Sequence, residues 1–154
     1  MRVNRCFNSA GGKGLNVARV AALCGSLVKA TGIVGGHNGD YLLELLKHDG
    51  IAHDFYRVRG ETRSCINILS ADQSSTEFLE PGFEVSELEQ AEFLDFFNRV
   101  IDEGSIVTIS GSVPKGFPAD IYARLIYIAK AGERRCCWIP VMHTRRQWKK
   151  EIWK

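Results

Sequence analysis

The chain has 154 residues, enough for one domain of ordinary size or for part of a larger one. Apolar residues make up 45% and charged residues 25%, close to the globular average, which argues against disorder and against collagen-like structure. The net charge of +2 is uneven: residues 1–130 hold 13 Lys/Arg and 16 Asp/Glu, whereas residues 131–154 hold 7 and 2, together with all three Trp.

Every apolar stretch is broken by Arg, Lys or Asp well before the roughly 18 residues a membrane span requires. Residues 1–10, MRVNRCFNSA, lack the apolar core of a signal peptide. The expectation is a cytoplasmic chain with no membrane partner. The five Cys are odd in number, irregularly spaced and without a CxxC pair, which argues against a disulfide framework or a zinc site.

In chain order, Gly11-Gly12-Lys13-Gly14 is a glycine-rich turn. Helical spacing of Leu15, Val17, Ala18, Ala21 and Ala22 predicts a helix to about Cys24, with Gly25 just past its end. Leu27–Val34 is short and rich in β-branched residues, and it ends in Gly35-Gly36, so it predicts a buried strand. Asp40 is expected to cap a helix carrying Leu42, Leu43, Leu45 and Leu46, closed by Gly50.

His53–Arg59, Thr62–Ser70 and Ser75–Leu79 alternate between short polar turns and predict a small antiparallel sheet. Ser86 with Glu89 forms a capping box for a helix to about Asp102. Leu88, Phe93, Leu94, Phe97 and Val100 supply its apolar spacing. Ser105–Ile109 predicts a strand running into Ser110-Gly111-Ser112, and Pro118 suits the first turn of a helix through about Lys130. Cys136–Val141 has the makings of a further strand. The whole is a helix/strand alternation with an antiparallel insert, which means an α/β layer with a small sheet attached.

Two segments have the chemistry of a binding site. Gly11-Gly12-Lys13-Gly14-Leu15-Asn16 leads directly into a helix. There the glycines admit a ligand close to the backbone and the free N–H groups of the first turn face its oxygens. Lys13 adds a charge and Asn16 both a donor and an acceptor. The spacing is neither a Walker A loop nor GxGxxG after a strand, and a tight turn packing helix on sheet would account for it equally well. Ser110–Gly116 lies at the carboxyl end of a strand, where open α/β sheets bind ligands, although an ordinary strand-to-helix loop also fits.

Arg63 could fork onto a phosphate from the small sheet; a solvated edge-strand arginine is the simpler alternative. Cys24 and Cys65 read as small core hydrophobes, and Glu87, Glu89 and Glu92 as a solvated helix face. The four His have no metal spacing. The Trp/Arg/Lys tail hints at nucleic acid, but its Arg and Trp do not fall on separable faces, so no nucleic-acid partner is expected.

Taken together, these segments resemble the ribokinase-type carbohydrate kinases of the phosphofructokinase B branch. The resemblance rests on Gly11-Gly12-x-Gly14-x-Asn16-x-Ala18, followed after six residues by Gly25 and after nine more by Gly35. Val3-Asn4-Arg5, Ala30-Thr31-Gly32, Gly60-Glu61-Thr62-Arg63, EFLEPG at 77–82 and SGSVPKG at 110–116 follow in family order. Within the branch the tagatose-6-phosphate kinases are nearest, on Arg63–Leu69 and Lys115, with the 1-phosphofructokinases second.

The resemblance implies a partial ribokinase-like parallel sheet with helices on both faces plus a small antiparallel lid sheet. Residues 1–52 and 81–132 would form the N-terminal half of the kinase domain, and 53–80 the lid. It implies ATP- and Mg2+-dependent phosphorylation of a ketohexose phosphate, with tagatose 6-phosphate giving tagatose 1,6-bisphosphate. Gly11, Gly12 and Asn16 would hold sugar hydroxyls and Arg63 the substrate phosphate, with Lys13 and Ser112 as further substrate contacts. The lid would also pair two subunits.

The departures are equally informative. The family's first strand, with its sugar-binding Asp, has no counterpart here. No GAGD-like anion hole, catalytic Asp or ATP site lies within 1–154, so no catalytic residue is assigned. The expectation is a truncated kinase, inactive alone, because phosphoryl transfer needs positioning and charge neutralisation together. A non-catalytic sugar-phosphate-binding or dimerising remnant is the alternative. The resemblance and the composition both break near Gly132, which makes 133–154 a divergent basic tail and suggests a frameshift.

Overall fold

A computed structural model describes residues 5–70 and 72–139 of the chain. The expectations placed on Val3-Asn4 and on the tail beyond Ile139 lie outside the described residues.

The elements are α1 (Lys13–Leu23), β1 (Lys29–Gly35), α2 (Gly36–His48), β2 (Ala52–Val58), β3 (Cys65–Leu69), β4 (Ser75–Leu79), α3 (Glu87–Val100), β5 (Ile106–Ser110), α4 (Ile121–Ala131) and β6 (Arg135–Ile139). They form two parallel strand pairs and one hairpin. β1 runs parallel to β2 from Lys29↔Ala52 to Gly35↔Val58. β5 runs parallel to β6 from Ile106↔Arg135 to Ser110↔Ile139. β3 and β4 pair antiparallel, Cys65 opposite Leu79.

Helices cover both faces of the parallel layer. On one face Ala18 of α1 and Leu46 of α2 bury against Ala30 of β1, with Ala10 and Ile51 completing the cluster. On the other, Phe93, Phe97 and Val100 of α3 and Ile121, Leu125 and Ala129 of α4 enclose Val107. Ile33, Tyr56 and Ile109 pack against that second cluster from β1, β2 and β5, so strands of both pairs share one core. This is the expected α/β layer with helices on both faces and an attached antiparallel sheet.

Local signals placed several elements. Ser86 and Glu89 make both halves of the capping box that starts α3. α1 stops at Cys24 with Gly25 at φ 85° just beyond, the left-handed turn that glycine favours. β6 begins one residue before the expected strand.

Several expectations are corrected. The strand at 52–58 is not part of the antiparallel insert but an edge strand of the parallel layer, beside β1. The insert proper is the β3–β4 hairpin. An edge strand alternates like a hairpin strand, and periodicity alone does not separate the two.

α2 starts at Gly36, four residues before Asp40, which lies inside the helix and pairs with Arg57. α4 starts at Ile121, after Pro118. Cys24 and Cys65 are exposed rather than in the core, and Leu88 is exposed on α3. Among the described residues no helix is long and apolar enough to cross a membrane.

Candidate functional site

The candidate residues gather where β1 and β5 end. Gly12 is the residue before α1 and holds φ 119°, a conformation that side-chain-bearing residues rarely adopt. The turn closes through Asn16 N–H donating to Gly12 O at 2.9 Å. Lys13, exposed, is the first helical residue. A Cβ built on Gly14 would lie 3.5 Å from Ser110 O and 3.6 Å from Ser110 Oγ, so the first turn of α1 sits directly on the end of β5. The unblocked N–H groups of that turn and the loop 110–116 therefore share one rim.

Arg63 comes to this rim from the segment between β2 and β3, just before the hairpin rather than on it. Its Nη2 donates to Ser112 Oγ at 3.0 Å. Its aliphatic stem lies against Gly82, where an added Cβ would stand 3.6 Å from Arg63 Cδ.

The segment carrying Arg63 is anchored on both sides. Thr62 N–H donates to Gly35 O at 2.8 Å and Thr62 Oγ1 accepts from Gly35 N–H at 2.9 Å. Glu61 accepts from His37 N–H at 3.2 Å and from Asn38 N–H at 2.6 Å, capping α2 from across the loop. Asn38 Nδ2 donates to Thr62 O at 3.0 Å and to Ser64 Oγ at 3.2 Å. Ser64 N–H donates to Glu80 Oε2 at 2.7 Å, tying in the far strand of the hairpin. A Cβ on Gly35 would run into Gly60 O, and one on Gly36 into the Glu61 carboxylate, so the glycine pair is a seat for residues 60–62.

The other rim loop is equally well held. Tyr122 Oη donates to Gly111 O at 2.8 Å. Val85 N–H donates to Lys115 O at 2.9 Å, and Gln90 Nε2 to Gly116 O at 3.1 Å. Burial pushes the Tyr122 phenol above its ordinary pKa, so it stays a neutral donor to the loop.

Arg63 and Ser112 are thus joined, and the helix that follows Gly11, Gly12 and Lys13 meets the end of β5 through the Gly14–Ser110 contact. Asn16 is differently engaged: its Oδ1 accepts from Arg19 Nη1 at 3.1 Å. Arg19 in turn donates to Ala10 O at 3.0 Å and pairs with Asp49 at 3.1 Å. A cavity of about 350 Å³ lined by Asn8, Ser9, Arg19, Leu45, His48 and Asp49 lies on that side and touches neither Asn16 nor Arg63.

Sequence reasoning missed Glu61, Thr62 and Asn38 as holders of Arg63. The available signal was the pairing of two glycine-bounded motifs, Gly35-Gly36 and Gly60-Glu61-Thr62. Among the described residues no group of three or more His, Cys, Asp or Glu side chains could hold a metal ion.

The model of the pfkB family carbohydrate kinases matches residues 1–150, past the composition break at Gly132. Solved structures resemble the chain as well. Phosphofructokinase-2 from Escherichia coli, in complex with fructose-6-phosphate, is 29% identical with a TM-score of 0.77, over 87% of this chain and 45% of that one. Another structure of the same enzyme is its tetrameric inhibited form. A putative phosphofructokinase from Staphylococcus aureus is 27% identical with a TM-score of 0.80, over 89% of this chain and 44% of that one. A possible 1-phosphofructokinase from Thermotoga maritima is 31% identical with a TM-score of 0.75, over 90% and 47%. The chain spans less than half the length of these proteins. By the family match and by these structures, it belongs to the pfkB family of carbohydrate kinases.

Proposed function

We propose that this chain carries the sugar-phosphate-binding part of an ATP-dependent ketohexose-phosphate kinase, with tagatose 6-phosphate as its substrate. The observation that carries the reading is the Arg63–Ser112 hydrogen bond, formed beside the glycine turn at the start of α1. A guanidinium presents five N–H donors in a planar fork that matches phosphate oxygens two at a time. Ser112 engages one arm and so orients the rest, while the 60–62 anchor fixes the stem.

The first-turn N–H groups of α1 add partial positive charge on the same rim. Lys13 extends it as a point charge. Gly11 and Gly12 let a sugar approach the backbone. Asn16 would have to exchange Arg19 for a sugar hydroxyl, a change of partner at little net cost because Asn16 is exposed and Arg19 keeps Ala10 O and Asp49.

ATP is the phosphoryl donor expected from the family. The candidate residues offer donors for a bound phosphate but no carboxylate placed to take a proton from the attacking hydroxyl. This polypeptide therefore binds the sugar phosphate without turning ATP over.

The β3–β4 hairpin supports a second element of the reading, a homodimer through the lid. Its Ile66, Leu69, Phe78 and Leu79 are more than half exposed, an apolar surface that pairing with a second hairpin would cover. Fructose 1-phosphate is the competing substrate.

Calorimetric titration with tagatose 6-phosphate, fructose 1-phosphate and fructose 6-phosphate, beside a coupled assay for ADP release, tests the reading. Tightest binding of tagatose 6-phosphate with no ADP release is expected. Binding of none of the three would overturn it, and preference for fructose 1-phosphate would reassign the substrate.

A further inference from the structure

Arg19 joins the glycine turn to a separate cavity. It leaves the middle of α1, and its Nη1 donates to Asn16 Oδ1 at 3.1 Å. Its Nε and Nη2 both donate to Asp49 Oδ2, at 3.3 and 3.1 Å, and Nη2 donates again to Ala10 O at 3.0 Å. Four of the five guanidinium N–H donors are engaged in this way, and one on Nη1 is left over.

Asp49 is also only half used. Both bonds from Arg19 fall on Oδ2. Oδ1 accepts no hydrogen bond among the described residues, and His48 Nδ1 stands 3.7 Å from it. The two side chains of the ion pair are 30% and 32% exposed, so water or a ligand reaches both.

The cavity of about 350 Å³ opens on this pair. Its volume falls in the range of small-molecule sites, about 300–1,000 Å³. Asn8 and Ser9 form another wall, an amide and a hydroxyl that can each donate and accept. Leu45 of α2 supplies an apolar wall.

Charge selects the ligand. Asp49 already neutralises Arg19, and its open oxygen repels an anion. What the cavity offers is a spare N–H and a spare carboxylate oxygen on one ion pair, two groups of mixed donor and acceptor character, and an apolar surface. Two adjacent hydroxyls of a sugar match the ion pair: one donates to Asp49 Oδ1, and its neighbour accepts from Arg19 Nη1. The C–H face of the same sugar lies on Leu45. We propose that this cavity binds an unphosphorylated hexose or polyol, and that the bound ligand antagonises sugar-phosphate binding.

The antagonism follows from Arg19. A ligand favours the arrangement that it binds. In this arrangement Arg19 holds Asn16 Oδ1, so a ligand bridging Arg19 and Asp49 keeps Asn16 occupied. Asn16 has to leave Arg19 to take a sugar hydroxyl. This regulatory half rests on the sugar-phosphate reading; the binding half does not. Sugar phosphate should weaken the cavity ligand by the same factor, as linkage requires.

Nuclear magnetic resonance on the isotope-labelled chain tests both halves, with galactose as the probe because it has no phosphate for Arg63. Galactose should shift the Arg19 Nε–H and Leu45 methyl signals saturably and leave the Arg63 Nε–H signal in place. Asn8→Ala, on an exposed segment, should weaken galactose about threefold or more. It should leave tagatose 6-phosphate binding unchanged when galactose is absent. Saturating galactose should weaken tagatose 6-phosphate binding about fivefold or more.

Absence of saturable shifts at Arg19 and Leu45 overturns the proposal. So does equal galactose affinity in Asn8→Ala, or inorganic phosphate producing the same shifts at lower concentration. Tagatose 6-phosphate binding that galactose leaves unchanged or strengthens overturns it too. Galactose shifts at Arg19 and Leu45 in a chain that binds no tagatose 6-phosphate would support the cavity site and sink the sugar-phosphate reading alone.

Discussion

Glu61 caps a helix that starts 25 residues before it: its two carboxylate oxygens accept from the backbone N–H groups of His37 and Asn38 at 3.2 and 2.6 Å. The same residue stands two positions before Arg63. One carboxylate thereby ties the start of α2, the glycine pair at 35–36 and the proposed phosphate-binding arginine into a single unit. Removing it is expected to cost about 1 kcal/mol, the usual loss for a helix cap. Urea denaturation of Glu61→Ala should show that loss, and sugar-phosphate binding should weaken in parallel because Arg63 loses its anchor.

The Ser86–Glu89 capping box gives a local counterpart. Ser86→Ala should destabilise by about 1 kcal/mol without changing sugar-phosphate binding, since neither residue of the box touches Arg63 or Ser112. Its hydrogen bonds to Ser86 hold the Glu89 carboxyl below the usual glutamate pKa. A depressed pKa means that the cap's contribution is whole above about pH 4.5 and fades as pH falls through the lower folded value. Acid titration of wild type against Glu89→Gln checks that sign.

Alkaline behaviour should centre on Tyr56. Burial, and then the hydrogen bond from its hydroxyl to Glu92, push its pKa up to about 12. A raised pKa favours the protonated folded form, so the associated stability is complete below pH 10 and is lost as pH climbs to about 12. Melting curves between those limits should fall more steeply for wild type than for Tyr56→Phe.

Leu46 of α2, fully buried against α1 and β1, tests the packing of the parallel layer. Leu46→Ala should cost about 2–5 kcal/mol. A chain this small has little stability in reserve, so the variant should be mostly unfolded at room temperature by circular dichroism.

The parts of this fold that the sequence displays are those with local causes. The capping box, the Gly25 stop and the glycine turn before α1 each depend on residues within a few positions of one another. The start of α2 is not legible, and Asp40 misleads, because the true cap, Glu61, arrives from the far side of β2. The sheet to which the strand at 52–58 belongs is hidden as well, because alternation does not reveal a strand's partner.

In the site, Gly11, Gly12 and Lys13 are legible for the same local reason, and Arg63 through its motif. The contact of Arg63 with Ser112 spans 49 positions and emerges only from the tertiary structure. The turn of Asn16 toward Arg19 is an i,i+3 pairing whose spacing is visible in the sequence, yet the side-chain choice between Arg19 and a ligand is not.

A double-mutant cycle on Arg63→Lys and Ser112→Ala, read by titration with tagatose 6-phosphate, addresses the central claim most directly. Lysine keeps the charge but loses the fork, so Arg63→Lys should weaken binding about tenfold or more, and Ser112→Ala less. The pair should couple by roughly 0.5–3 kcal/mol, as for residues in one hydrogen-bond network. Unchanged affinity in Arg63→Lys, or strictly additive losses, would contradict the claim that these two side chains jointly hold the substrate phosphate.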